Sequence, residues 1–234
     1  MTHDENGPAV DAPVVAVRGE VFREVEPEIA RFAVTVAARD RDRQQTLHRL
    51  TARAASLRGL LDGYQGAIEA RETTGLYVRP ELRRSGEKVS GYSGTVTTTV
   101  TVTDFTVLGE LMLRLADLDQ TTVGGPWWQL RPGSPVHREA RRAAIGDAIE
   151  RAREYAEALG SRVTRLVELT DTGLSRQPER VHTRALSFSA AAPGGSPQLD
   201  LEPQRQHIQA EIEARFLITP PTLLSAPPPG PPSS

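Results

Sequence analysis

The alternation of apolar and polar positions is cleanest near the C-terminal end of the chain. Ile208, Ala210, Ile212, Ala214, Phe216 and Ile218 interleave with His207, Gln209, Glu211, Glu213 and Arg215. That period of two is what a half-buried strand requires. Residues 28–38 repeat the pattern, with Phe32, Val34 and Val36 on one face and Arg31, Ala33 and Thr35 on the other. The longest strand signal is the run 95–103, nine consecutive β-branched residues entered through Gly91-Tyr92-Ser93-Gly94. Branching at Cβ restricts χ1 and suits a pleated surface. Val96, Val100 and Val102 face one way along it, and Thr95, Thr97, Thr99, Thr101 and Thr103 face the other. Shorter strand segments fall at 14–21, 67–74, 76–79, 127–131 and 163–170. Only Glu24-Val25-Glu26-Pro27 joins the first strand to the second, a length that predicts a hairpin.

Three segments switch to the helical period. Over 42–61, Leu47, Leu50, Ala54, Leu57 and Leu61 recur at steps of three and four, and Asp62-Gly63 supplies the stop. Asp104 is an N-cap for a second helix with the stripe Leu108, Leu111, Leu115 and Leu118. Ser134-Pro135 reads as N-cap and first helical position of a long Ala-rich helix, whose inner face is Ala140, Ala144, Ala148, Tyr155 and Leu159 and whose stop is Gly160. Strands and helices alternate irregularly, so the fold class is α+β with antiparallel or mixed sheets, not a doubly wound α/β fold.

The domain plan follows from what interrupts these periods. Residues 1–12 form a polar, disordered lead-in, and 14–219 a single folded region of two intertwined α+β subdomains. Within it, 171–206 is a Gly/Pro/Ser-rich loop longer than compact domains usually carry. Residues 220–234 form a Pro-rich tail, extended and unstructured.

Composition narrows the function classes. The chain has 234 residues, 38% of them hydrophobic and 25% charged, with a formal net charge of -2. There is no basic field to hold nucleic acid or an anionic membrane. Lys88 is the only lysine. With no cysteine, disulfides, thiolate metal sites and thiol redox chemistry are excluded. No apolar run approaches the roughly 20 residues of a membrane helix, and the first residues lack the charged and apolar regions of a secretory signal. A cytoplasmic location is therefore expected.

No motif for chemistry is complete. His3, His48, His137, His182 and His207 show no metal-ligand spacing, and no serine-nucleophile or phosphate-cradle motif is present. Glu211 and Glu213 share one strand face, where charge protecting a sheet edge is a simpler reading than a carboxylate pair at work. No catalytic residue, metal ligand or cofactor is assigned. Trp127 and Trp128 are adjacent on a strand, so one indole enters the core and the other faces outward, free to anchor a contact. Together with Thr97, Thr99 and Thr101 they are the candidate interface residues. Pro227-Pro228-Pro229-Gly230-Pro231-Pro232 reads as a solubilising tail before a polyproline ligand.

The ordered blocks Val15-Ala16-Val17-Arg18-Gly19-Glu20, Glu26-Pro27-Glu28-Ile29-Ala30, Tyr77-Val78-Arg79-Pro80-Glu81, Gly91-Tyr92 and Ala156-Glu157-Ala158-Leu159-Gly160, with the terminal alternating strand, resemble the SIMPL-domain family, also called DUF541. The resemblance covers residues 14–219. Glu202-Pro203-Gln204 stands where that family often has a Pro-Gly turn, and the family carries no established catalytic residues to transfer. Its bacterial members include a periplasmic immunogenic protein and an oxidative-stress-related protein, many of them with a signal peptide, and its mammalian member binds a Pelle-like kinase. Some relatives assemble into rings. The resemblance thus implies a non-enzymatic, self-associating scaffold or interaction module with a stress-related role, partnered by copies of itself or another protein. The competing expectation is a small-molecule-binding protein or unrecognised enzyme with a pocket between sheet and helices, where Tyr92, Arg131 or Arg184 would converge.

Overall fold

The computed structural model describes residues 12–83, 86, 88–171 and 199–223. In chain order the elements are β1 (Val14–Val25), β2 (Ile29–Asp40), α1 (Arg43–Asp62), β3 (Ile68–Leu82), β4 (Val89–Val102), α2 (Leu108–Ala116), β5 (Thr121–Gln129), α3 (Pro135–Ala158), β6 (Val163–Asp171) and β7 (Gln206–Ile218). The class is α+β, with two antiparallel sheets. The described residues divide into two compact units, one from 12–25, 133–171 and 207–223, the other from 26–132 and 199–206.

The first unit is a three-stranded sheet in the order β1-β7-β6 with α3 laid along β1. The helix buries one residue in every four, Ala140, Ala144, Ala148, Ala152 and Ala156. This row of single methyl groups is a ridge along the helix. It meets Gly19 of β1, where a Cβ would stand 2.8 Å from Ala148 Cβ. Helix and strand come so close that only methyl-sized side chains fit between them. Tyr155, expected on the inner face, is accordingly 50% exposed. Two polar contacts secure the approach: Glu20 N–H donates to Asp147 Oδ2 at 2.9 Å, and Arg151 donates to the same carboxylate at 3.0 Å. Gly160 ends α3 in the left-handed region at φ 67°. The segment after β7 then caps the helix. Thr222 Oγ1 donates to Gly160 O at 3.1 Å and Leu223 N–H to Leu159 O at 3.4 Å. Residues 221–223 are therefore fastened to the helix end, whereas an unstructured tail was expected from 220 onward. Residues 224–234 lie outside the described residues, as do 1–11 and the 172–198 part of the long connection.

The second unit is a four-stranded sheet in the order β3-β4-β2-β5. Its core lies on one face only. Phe32, Val34 and Val36 of β2 and Val100 and Val102 of β4 are at most 1% exposed. They pack against Leu50, Leu57 and Leu61 of α1 and Leu108, Leu111 and Leu115 of α2. Asp42 caps α1, its carboxylate accepting from Gln45 N–H at 2.9 Å. The returning end of the long connection belongs to this unit: Leu201 packs on the core, and Leu199 lies so near α2 that a Cβ on Gly109 would be 3.0 Å from its carbonyl carbon.

Two local expectations are corrected. β1 and β2 do not form a hairpin; they belong to different sheets, β1 beside β7 and β2 between β4 and β5. Only three residues, Glu26 to Glu28, separate the two strands, yet each finds its partners far along the chain. The segments 67–74 and 76–79 are one strand, β3, whose register shifts between Thr73 and Gly75. β5 likewise begins earlier than expected, at Thr121, and carries the cis Gly125-Pro126 bond on an edge strand, where a missing N–H costs no ladder bond.

Candidate functional site

The four-stranded sheet leaves its second face without a helix. Strand register places the candidate residues there. Arg31 of β2 is opposite Thr101 of β4 and Trp127 of β5; Ala33 is opposite Thr99 and Gly124; Thr35 is opposite Thr97 and Thr122. Directly opposed residues share a face, so Thr97, Thr99, Thr101 and Trp127 stand together. Trp127 is 41% exposed. Trp128 points the other way, opposite the fully buried Ala30, and is 7% exposed. Its ring meets Phe105 edge-on with centroids 4.9 Å apart. One indole is core and one is surface, as the strand period requires.

Hydroxyl groups knit this face together. Thr35 and Thr97 share a hydrogen bond of 2.9 Å, and Thr74 and Thr99 one of 3.3 Å. The only charges in the central rows are Arg31 and Glu72, paired with each other at 3.4 Å. The surface is thus flat, short-chained and electrically balanced, with one indole at its β5 edge. Thr35 and Arg31 joined the site through strand pairing; their side of β2 was legible, but their neighbours were not.

Other polar clusters are small and exposed. Tyr64 donates to Glu110 Oε1 at 2.7 Å while accepting from Arg114 at 2.9 Å; bonding to the tyrosine oxygen chiefly holds the Arg114 guanidinium above its ordinary value. Asp104 caps the turn before α2 and sits below the usual carboxylate range, because the Thr106 hydroxyl and N–H both bond its ionised form. Asp40 is lowered in the same direction, first by the Asp42 N–H. Among the described residues, no three carboxylate or imidazole groups gather in a metal-ligating cluster.

The described residues line two shallow cavities. One, of about 300 Å³, lies on the three-stranded sheet against Ala16, Arg18, Glu213 and Arg215; the other, of about 280 Å³, lies between α1 and β3 against Leu57, Arg58, Arg71 and Thr98. Neither gathers the residues expected of a ligand pocket. Tyr92 is opposite Asp40 at one end of the four-stranded sheet. Arg131 is at the other end, bonded through its N–H to Glu28 at 2.9 Å and ion-paired with Glu69. Arg184 lies outside the described residues.

Comparison with known proteins supplies the context. The chain is similar to the 26 kDa periplasmic immunogenic proteins of Brucella melitensis and Brucella abortus, each 27% identical over 205 residues, spanning 82% of this chain and 80% of the relative. Those names correct the cytoplasmic expectation, which rested on the lack of a membrane-length apolar run and of signal-like first residues. No described helix is long and apolar enough to cross a membrane. A family model described as SIMPL, protein of unknown function (DUF541), matches residues 15–216, nearly the whole described fold, and the chain belongs to that family.

Proposed function

We propose that this chain is a non-enzymatic scaffold of the cell envelope that associates with copies of itself through the helix-free face of its four-stranded sheet, with a stress-related role resting on the family alone. The observation that carries the reading is the convergence of Trp127, Thr97, Thr99 and Thr101 on one face whose central charges, Arg31 and Glu72, are paired with each other. Short side chains keep such a face flat, so two copies approach without burying an unpaired charge. With strands about 4.8 Å apart and same-face rows about 6.8 Å apart, four strands by four rows span roughly 500 Å². Two copies would cover roughly 1,000 Å², the size at which specific association begins. Trp127 supplies the anchor that such an interface needs. The periplasmic names of the relatives support an envelope location.

Light scattering after size exclusion tests this directly. The wild type should run well above its 25.5 kDa chain mass, and Trp127→Ala should lower that mass with unchanged circular dichroism. A wild-type monomer would overturn the proposal. So would an oligomer indifferent both to Trp127→Ala and to Thr99→Glu, which places an unpaired charge mid-face.

A further inference from the structure

Helix α1 packs on β2 and β4 and leaves the edge strand β3 largely uncovered. No residue of β3 is buried, although Arg71, Thr73 and Leu76 lie opposite Val100, Thr98 and Val96 on the helix side of β4. Between this overhang and α1 runs a groove of about 280 Å³, at the small end of the range for small-molecule sites. Ala54, Leu57 and Leu61 form its helix wall and Val96 its apolar floor. Leu76, opposite Val96 and 64% exposed, prolongs the apolar strip onto β3.

The other end of the groove is cationic. Arg58 falls within the helical stripe itself, between Leu57 and Leu61, where the period places a side chain at the rim of the sheet-facing surface. Arg71 lines the same groove from β3. Its Nη1 donates at 2.6 Å to Asp62, one helical turn beyond Arg58. That one carboxylate offsets one of the two guanidiniums. Arg58 has no ion-pair partner among the described residues, and Arg71 keeps most of its N–H donors for another acceptor. Thr73 and Thr98, directly opposed, add two hydroxyls without a hydrogen bond among the described residues. An apolar strip that ends in one uncompensated positive charge is the complement of a single-chain amphiphile with an anionic head. A dianionic head would exceed that charge, and a neutral one would cover the guanidiniums without pairing them.

We propose that the α1–β3 groove binds a medium-chain monocarboxylate, its head between Arg58 and Arg71 and its chain laid over Val96 toward Leu76. The groove is on the opposite side of the sheet from Thr97, Thr99 and Thr101, so this site goes beyond the self-association proposed above and does not depend on it.

Isothermal titration calorimetry of the full chain with hexanoate, octanoate, decanoate and 1-octanol tests the site. Each added methylene should tighten binding about two- to fourfold, the range for a methylene half or fully covered. 1-Octanol keeps the chain and loses the charge, and it should bind at least about fivefold more weakly than octanoate. Arg58→Gln keeps the stem of the side chain; it should weaken octanoate by about fivefold and leave 1-octanol unchanged. No saturable binding of decanoate, affinities indifferent to chain length, or equal affinity for octanoate and 1-octanol overturns the proposal. So does an Arg58→Gln chain of unchanged circular dichroism that holds octanoate as tightly as the wild type. Should that variant fail to fold, the chain-length series and the alcohol comparison decide on the wild type alone.

Discussion

Gly19→Ala should be among the most costly single-methyl additions to this fold. A Cβ at that position would stand 2.8 Å from both Cβ and N of Ala148, and closer still to the Ala144 carbonyl oxygen. Real Cβ atoms do not approach that closely, so strand and helix must separate. No flexible side chain can yield, because the atoms in the way are helix backbone and an alanine methyl. Overpacking of this kind costs about 1–3 kcal/mol, and the rigid neighbours place this case at the upper end. Replacing a strand glycine recovers about 0.5–1 kcal/mol of backbone entropy. The net loss is about 2 kcal/mol, or about 4–8 °C in melting temperature for a chain of this size. Gly59, exposed in α1 with nothing within 4 Å of a new Cβ, is the matched control. There the same substitution should stabilise by about 0.5–1 kcal/mol. Thermal unfolding followed by far-UV circular dichroism should show opposite signs for the two. An unshifted melting temperature for Gly19→Ala beside a raised one for Gly59→Ala would refute the close strand–helix contact.

Three further outcomes follow from the packing and the caps. Trp128→Ala removes an indole that is 7% exposed and in contact with Phe105; it should cost about 3–5 kcal/mol in urea unfolding, against less than about 1 kcal/mol for Trp127→Ala, and equal losses would contradict the assigned orientations. Asp104 titrates below its ordinary 3.8 in the folded state, so its contribution is complete above the unfolded value and disappears as pH falls through the folded one. The urea midpoints of wild type and Asp104→Ala should therefore differ at pH 7 and converge as pH falls through the lowered folded-state value; a gap that persists once the carboxyl is protonated would show that charge is not its source. Gly109→Ala adds helix propensity to α2 but drives a methyl to 3.0 Å from the Leu199 carbonyl carbon. Faster proteolysis near 199–201 is expected, and wild-type resistance would mean that the segment does not lie there.

Much of the architecture was legible because single-face burial writes itself into period. The alternation in β2, β4 and β7 identified which side chains are inward, and Ser134 marked the start of α3 by its ability to accept the first N–H groups. Pairing was not legible. The short link between β1 and β2 suggested a hairpin, but loop length constrains only where a chain can go, and long-range partners β7 and β4 offered larger buried faces. The inner face of α3 was misread at Tyr155 because large residues are the usual sign of burial. Here the governing residue is a glycine on another strand, Gly19, which selects methyl groups every fourth position. The candidate face shows the same division. Its threonines and one outward indole were visible in sequence, but their meeting depends on β5 lying beside β2 in a register set by an irregularity between Arg31 and Ala33.

The two sheets solve burial in the same way and differ in what they leave outside. Each is covered by helices on one face, which satisfies the core and leaves the other face to solvent or to a partner. On the three-stranded sheet that face is filled with long charged side chains, including the pairs Arg18–Glu211 and Arg215–Glu168. On the four-stranded sheet the central rows of that face hold hydroxyls, methyls and one indole, with one ion pair, Arg31–Glu72. Charged side chains keep water and respond to salt; short neutral ones release it and do not. The proposed threonine-face contact should therefore be insensitive to ionic strength. High salt should leave the threonine-face pair intact. A self-complementary contact joins copies in twos, whereas a head-to-tail one extends or closes into a ring. The species that survives high salt should accordingly be a dimer, and any larger residual assembly would assign the salt-resistant contact to a surface other than the threonine face.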